Sequence, residues 1–229
     1  NSFLDGTKSA IEMAAVANAT GLTPAPDGLA FPPCAVEHLA RTLIPMSDGG
    51  VLHHKGQVEV VSSRNRDGSD VTGDLRWGVY VTFEAPSEYV ERCFSDYGLI
   101  TDRSGRYTAL WRPYHLIGLE LGVSVAHVGM LKMPTGVARA FNADVAATAK
   151  RDLAAGEILD GEGGYTVWGR LMPAAASLAK GALPIGLAHD LKLKRAVAKG
   201  QIVTWDDVDA PADGLAVRIR REMERAFAP

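Results

Sequence analysis

The chain has 229 residues, 22% of them charged and 47% hydrophobic, and a formal net charge of −3. These values are typical of a globular protein and give no reason to expect nucleic-acid binding. No run of eighteen apolar residues occurs, so no membrane span is predicted. The two cysteines, Cys34 and Cys93, fit neither a disulfide framework nor a metal site, and they favour a cytoplasmic protein with reduced thiols.

The first nineteen residues predict a helix that begins with polar groups. An Asp5-Gly6 turn precedes an alanine-rich run, and Asp5 or Thr7 can accept hydrogen bonds from the first N–H groups. Lys8 and Glu12 are four residues apart and share one helix face. A polar cluster at a helix N-terminus favours anionic or carbonyl substrates. The alternative is a capped amphipathic helix with one exposed ion pair.

Two adjacent histidines stand at the start of a predicted strand over residues 57–63. On an extended backbone neighbouring side chains point apart, so His53 and His54 are not expected to ligate one metal. They are either exposed loop residues, or one imidazole and Lys55 contact an anionic or carbonyl substrate.

The segment 75–84 has the clearest alternation in the chain and predicts a second strand. We expect it to pair in antiparallel fashion with strand 57–63, with one face against helices. The apolar face would consist of Leu75, Trp77, Val79, Val81 and Phe83.

Arginine, tyrosine and histidine residues bracket the entrance to a long apolar segment, 116–130. This segment is apolar almost all round, which predicts a central helix buried on most sides. Such side chains at a helix N-terminus can clamp a carboxylate or phosphate, or they can cap the helix and pair with neighbouring acids. They are Arg106, Arg112, Tyr114 and His115.

The pattern of predicted elements changes near residues 134–136. Short β segments separated by glycines follow, then a helix over 173–180. Apolar residues recur every four positions in 215–227, which predicts an amphipathic tail helix docked by its apolar face. We therefore predict an α+β fold: a mostly antiparallel sheet with helices on one face, followed by a small β-rich domain.

Several segments of the chain resemble one bacterial family. They begin with Ser-Phe-Leu-Asp-Gly-Thr-Lys-Ser-Ala-Ile-Glu-Met at 2–13 and continue with 49–58, 75–86, 112–125 and 149–165. Together they are similar to the homoserine dehydrogenase-like, deoxyxylulose-phosphate reductoisomerase-like (DXR-like) proteins with a C-terminal SAF domain. The resemblance implies a substrate-binding, catalytic and dimerisation domain at 1–140, an SAF domain at 141–212 and a C-terminal helix at 213–229.

Members of this family carry an N-terminal Rossmann domain that binds NADPH, and no Gly-x-Gly-x-x-Gly fingerprint follows a predicted strand here. The resemblance implies that this chain is the part after that domain, a fragment that by itself is expected to be inactive. In reductoisomerase-like members, deoxyxylulose phosphate is converted to methylerythritol phosphate in isoprenoid biosynthesis, usually with a divalent metal such as Mg or Mn. Other members act on sugar acids or homoserine-like substrates.

The resemblance also implies roles for the polar residues named above. Lys8 would transfer a proton or polarise a carbonyl, and Asp5 would orient Lys8 or hold a metal. His54 and Lys55 would stabilise the developing oxyanion. The substrate-binding residues would be Glu12, Arg106, Arg112, Tyr114 and His115.

The expected partners are a small anionic substrate and a second copy of the chain, with no nucleic acid and no membrane. A large exposed apolar surface would favour the homodimer. Two alternatives stay open. The chain could be a non-catalytic SAF-containing module that binds sugar acids or proteins, or a metal-dependent lyase or hydrolase that uses His53 or His54 with Asp5.

Overall fold

A computed structural model describes residues 2–211 and 214–227, which contain helices and small antiparallel sheets. The helices are α1 (Thr7–Thr20), α2 (Leu39–Thr42), α3 (Glu88–Asp96), α4 (Ile117–Ala126), α5 (Ala174–Lys180) and α6 (Leu215–Ala226). The strands are β1 (Val79–Glu84), β2 (Tyr107–Arg112), β3 (Ala143–Ala149), β4 (Ile158–Asp160), β5 (Val167–Pro173) and β6 (His189–Lys192). Strands β1 and β2, β3 and β5, and β4 and β6 form antiparallel pairs. The predicted α+β class is confirmed.

The chain divides into two compact units, and one of them is built from two separate segments. The first unit comprises residues 1–29 and 138–229, and the second comprises residues 30–137. The division predicted after residue 140 lies near the second of these junctions, and the structure groups the N-terminal helix with the C-terminal segment. Residues 1, 212–213 and 228–229 lie outside the described residues. The predicted boundary between the SAF domain and the C-terminal helix, at 212–213, is one of these positions.

In the first unit, α1 packs closely against the β3–β5 pair. Its buried positions are all small residues at helical spacing: Thr7, Ala10, Ala14 and Ala17. The Thr7 hydroxyl accepts a hydrogen bond of 2.8 Å from the backbone N–H of Gly169 in β5. A Cβ atom on Gly169 would lie 2.9 Å from Thr7 Cγ2, so this approach requires glycine.

The tail helix α6 belongs to the same unit, but the residues that anchor it are charged. Arg220 donates to both carboxylate oxygens of Asp144 in β3, at 3.0 Å and 2.5 Å. Its Nε donates to Glu224 at 2.8 Å, and its guanidinium lies 5.3 Å from the ring centroid of Phe141. The helix is confirmed and the predicted apolar docking face is wrong, because Leu215 is 63% exposed and Ile219 is 56% exposed.

The second unit has its core beneath the β1–β2 hairpin. Five buried residues form this core: Cys34, Leu39, Leu43, Leu52 and Leu75. Tyr80 of β1 and Ala109 of β2 pack against it, and the Tyr80 hydroxyl donates to the Glu59 carbonyl at 2.8 Å. These contacts bury the face of the β1–β2 pair that carries Tyr80, although the sequence pattern placed this residue on the polar face.

The strand predicted at 57–63 is wrong. The segment has bridge residues at Gln57 and Ser62 only, and Ser62 makes an isolated parallel bridge with Pro33. Ser62 donates to Pro32 and accepts from Cys34, but Pro32 and Pro33 have no N–H with which to extend the ladder. The strand at 75–84 is confirmed from Val79 onward and pairs instead with β2.

The apolar helix of the second unit is confirmed, and its predicted burial is wrong. None of the residues of α4 is buried, and Leu119 is 79% exposed. The outward face of β1 is also apolar, with Val79 50% exposed and Val81 53% exposed. An apolar pattern on all sides of a helix indicates that the helix packs against other apolar surfaces, but it does not identify those surfaces. Within the described ranges, no helix has the length and apolar character to cross a bilayer.

Candidate active site

A partly buried ion pair lies at the N-terminus of α1 in the first unit. The Asp5 carboxylate accepts from the Thr7 N–H at 2.9 Å and lies 2.7 Å from the Lys150 ammonium. Lys150 also donates to the Gly164 carbonyl at 2.5 Å. Burial opposes ionisation of Asp5, but hydrogen bonds from Lys150 and Thr7 outweigh it and lower the pKa of this carboxyl. The predicted cap of the helix by Asp5 is confirmed.

Lys150 was not among the site residues predicted from sequence. It stands in the chain far from Asp5, and its only sequence signal was its place at the start of a segment similar to an SAF module. The structure therefore adds a lysine to the polar cluster at the start of α1.

Lys8 and Glu12 form a second ion pair on the same helix. The ammonium lies 2.8 Å from Glu12 Oε1 and 5.2 Å from the centroid of the Phe3 ring. Their predicted common face is confirmed. Both side chains are accessible, so the Lys8 ammonium can contact a ligand in a way that the enclosed Lys150 cannot.

In the second unit, His53 and His54 turn toward each other. Their Nδ1 atoms lie 3.1 Å apart and their rings are nearly perpendicular, at 80°. The chain forms turns at these residues, so the rule for an extended backbone does not apply to them. Burial, and then the neighbouring His53, lower the pKa of His54.

Lys55 and Arg106 both bind one carboxylate, that of Glu84 at the end of β1. The hydrogen bond from Lys55 lowers the pKa of Glu84 most strongly, while burial opposes the shift and Arg106 reinforces it. Glu84 was not predicted as a site residue. The signal that could have identified it was its position as the last polar residue of an alternating strand.

The residues at the entrance to α4 converge on another carboxylate, that of Glu120. Arg112 binds Glu120 and stacks on Tyr114, with 4.4 Å between the guanidinium and the ring centroid. His115 Nδ1 lies 3.5 Å from Glu120 Oε2, which also accepts from the Leu116 N–H at 2.8 Å. The structure thus brings three of the predicted clamp residues together beside Glu120, an acid of the helix that follows them.

No group of three or more histidine, cysteine, aspartate or glutamate side chains among residues 2–211 and 214–227 could hold a metal ion. The same residues contain only antiparallel strand pairs and no parallel strand–glycine loop–helix unit of the kind that binds dinucleotides. We therefore assign no described residue to a divalent metal or to a nicotinamide dinucleotide.

The family model "Oxidoreductase DRL, catalytic domain" matches residues 1–121, which include all the predicted site residues. The chain belongs to this oxidoreductase family. No curated protein matches the chain.

Proposed function

We propose that this chain is the substrate-binding and catalytic part of an NADPH-dependent oxidoreductase that acts on a small anionic carbonyl compound. The observation that carries the proposal is the match of an oxidoreductase catalytic-domain model to the segment that contains Lys8. Its resemblance to DXR-like proteins and homoserine dehydrogenases points to deoxyxylulose phosphate or a homoserine-like compound as substrate.

In this proposal Lys8 acts on the reacting oxygen. An ammonium group can polarise a carbonyl and give its proton to the alkoxide that forms on reduction. Glu12 lies 2.8 Å from this ammonium and holds it at the first turns of α1. Asp5 is a positioning residue, since its carboxylate is fixed by Thr7 and Lys150.

Lys55, Arg106 and Arg112 keep their predicted role, contact with an anionic group. Their side chains are 71%, 49% and 52% exposed, and each pairs with a carboxylate. An incoming phosphate or carboxylate can replace Glu84 or Glu120 as the partner of these cations, because charge-assisted contacts of the same kind form in both states.

We also propose a homodimer formed through the second unit. The outward face of β1 is apolar and exposed, and so are the leucine, isoleucine and valine side chains of α4. An apolar surface of this kind on a twofold axis would be buried against the same surface of a second copy. Sedimentation of wild type should give twice the chain mass, and Val81→Arg should give a monomer. An unchanged mass for Val81→Arg beside Ile100→Arg, a control at another exposed apolar residue, would contradict this interface.

The catalytic proposal is tested with the protein translated from its complete gene. NADPH oxidation is followed with deoxyxylulose phosphate as substrate and, separately, with the aldehyde whose reduction gives homoserine. Loss of a general acid lowers turnover by about 10²–10⁴-fold, so Lys8→Ala should lower kcat by that factor. Lys192→Ala removes an exposed lysine from β6 and should leave kcat unchanged. Near-wild-type turnover by Lys8→Ala would refute the role of Lys8.

A further inference from the structure

An open cavity in the first unit lies outside the segment matched by the oxidoreductase family model. Its volume is about 480 Å³, within the range of roughly 300–1,000 Å³ that small-molecule sites occupy. Basic and amide side chains line it together with one carboxylate: Arg170, Lys180, Arg195, Gln201 and Asp207. None of these residues has a part in the reaction proposed above.

Both oxygens of the carboxylate in the cavity accept hydrogen bonds from neighbouring residues. Asp207 is 5% exposed, and its Oδ2 accepts from both the N–H and the hydroxyl of Thr204 at 2.7 Å. Its Oδ1 accepts from Nε of Arg195. Asp207 therefore fixes the Arg195 guanidinium by one edge and leaves both terminal nitrogens for another acceptor.

The remaining polar groups of the cavity are donors. Gln201 Oε1 accepts from the Ala198 N–H at 3.2 Å, which leaves the Gln201 amide nitrogen as a donor. Lys180, at the end of α5, is exposed and makes no hydrogen bond or ion pair with the described part of the chain. Arg170 donates to the backbone carbonyl of Asp27 at 3.3 Å and lies 3.6 Å from the Asp27 carboxylate. Three cations thus line the cavity, and Asp207 and Asp27 are the carboxylates paired with two of them.

We propose that this cavity binds the phosphate group of a small phosphomonoester. A fixed arginine edge presents paired N–H donors that match phosphate oxygens, and a lysine supplies a mobile point charge. The three cations outnumber the Asp207 and Asp27 carboxylates by one positive charge, which suits an anion. The site is independent of the reaction assigned to Lys8, since its residues belong to the β-rich part of the first unit.

The test is calorimetric titration of the full protein with inorganic phosphate, then with glycerol phosphate, in a chloride-free buffer of low ionic strength. Wild type should bind both probes saturably. Lys180→Gln removes one charge-assisted contact from a residue without structural partners and should weaken phosphate binding about tenfold. Lys192→Gln makes the same charge change outside the cavity and should bind as wild type does.

A second variant tests the same cavity at another cation. Arg170→Gln should also weaken phosphate binding about tenfold, because Arg170 lines the cavity. Wild-type phosphate affinity in both Lys180→Gln and Arg170→Gln would overturn the proposal, as would the absence of saturable binding to wild type. Binding of inorganic phosphate but not of glycerol phosphate would overturn the phosphomonoester assignment.

Discussion

The ion pair between Arg220 and Asp144 should dominate the docking of the tail helix. Both side chains are nearly buried, at 11% and 7% exposure, and Asp144 also accepts from the Ser177 hydroxyl at 2.5 Å. Replacement of Arg220 by methionine keeps much of the side-chain volume but leaves the Asp144 carboxylate buried without its cation. Removal of one partner of such a pair costs about 3–5 kcal/mol, and we expect Arg220→Met to lower the free energy of unfolding of the first unit by this amount.

The assay is urea unfolding followed by tryptophan fluorescence. Trp205 reports on this region directly, because its indole N–H donates to Glu224 at 3.0 Å and the Arg221 guanidinium lies 3.9 Å from its ring centroid. Arg218→Met, on the exposed face of the same helix, is the matched control and should change stability by less than about 0.5 kcal/mol.

A double variant tests the physical reason. If the cost arises from an uncompensated buried charge, Asp144→Asn combined with Arg220→Met should be less destabilised than the sum of the two single variants. Equal stability of Arg220→Met and Arg218→Met, or full additivity in the double variant, would refute this account of the docking.

Two further predictions concern a buried carboxyl and a close helix–strand contact. Burial raises the pKa of the Glu59 carboxyl, while backbone N–H groups including that of Ala30 oppose the shift. A pKa raised in the folded state means that stability falls as pH rises through the ordinary and then the raised pKa of the carboxyl. The free energy of unfolding of wild type minus that of Glu59→Gln, measured by urea titration, should therefore decline over that pH range. A difference independent of pH would contradict this prediction. Gly169→Ala would place a Cβ atom 2.7 Å from Val145 Cγ1 and should cost about 1–3 kcal/mol in thermal unfolding, whereas Gly186→Ala meets no atom within 4 Å and should cost less.

Local patterns predicted the helices and strands where the physical signal lies within a few residues. The helix α1 begins directly after the Asp5-Gly6 turn, as predicted. The i, i+4 spacing of Lys8 and Glu12 likewise predicts their ion pair. In each case the interacting groups are brought together by helix geometry alone.

The sequence pattern could not predict which surface each strand or helix packs against. Alternation identified β1, but Tyr80 can bury its ring and bond its hydroxyl, so the face with tyrosine became the core face. The apolar stripe of the tail predicted a docking face, yet Arg220 carries the contact. Both outcomes depend on residues distant in sequence, which periodicity does not contain.

The candidate site was predicted unevenly for the same reason. The basic residues were recognisable from their types, whereas their carboxylate partners depend on the fold. Glu84 meets Lys55 and Arg106 because β1 ends beside the start of β2, and Lys150 meets Asp5 because β3 ends beside the start of α1. The catalytic roles themselves stay predictions until the variants are measured.

The division of the chain has a consequence for the order of events during translation. Residues 30–137 form a continuous unit and can fold as soon as they leave the ribosome, whereas α1 is made before them and must wait for β3 and β5. Until the segment with Gly169 is synthesised, the Thr7 hydroxyl and the alanine stripe of α1 have no surface to pack on. The helix α1 is therefore made before the second unit but reaches its native contacts after it, and a nascent chain arrested before β5 should expose α1 to proteases.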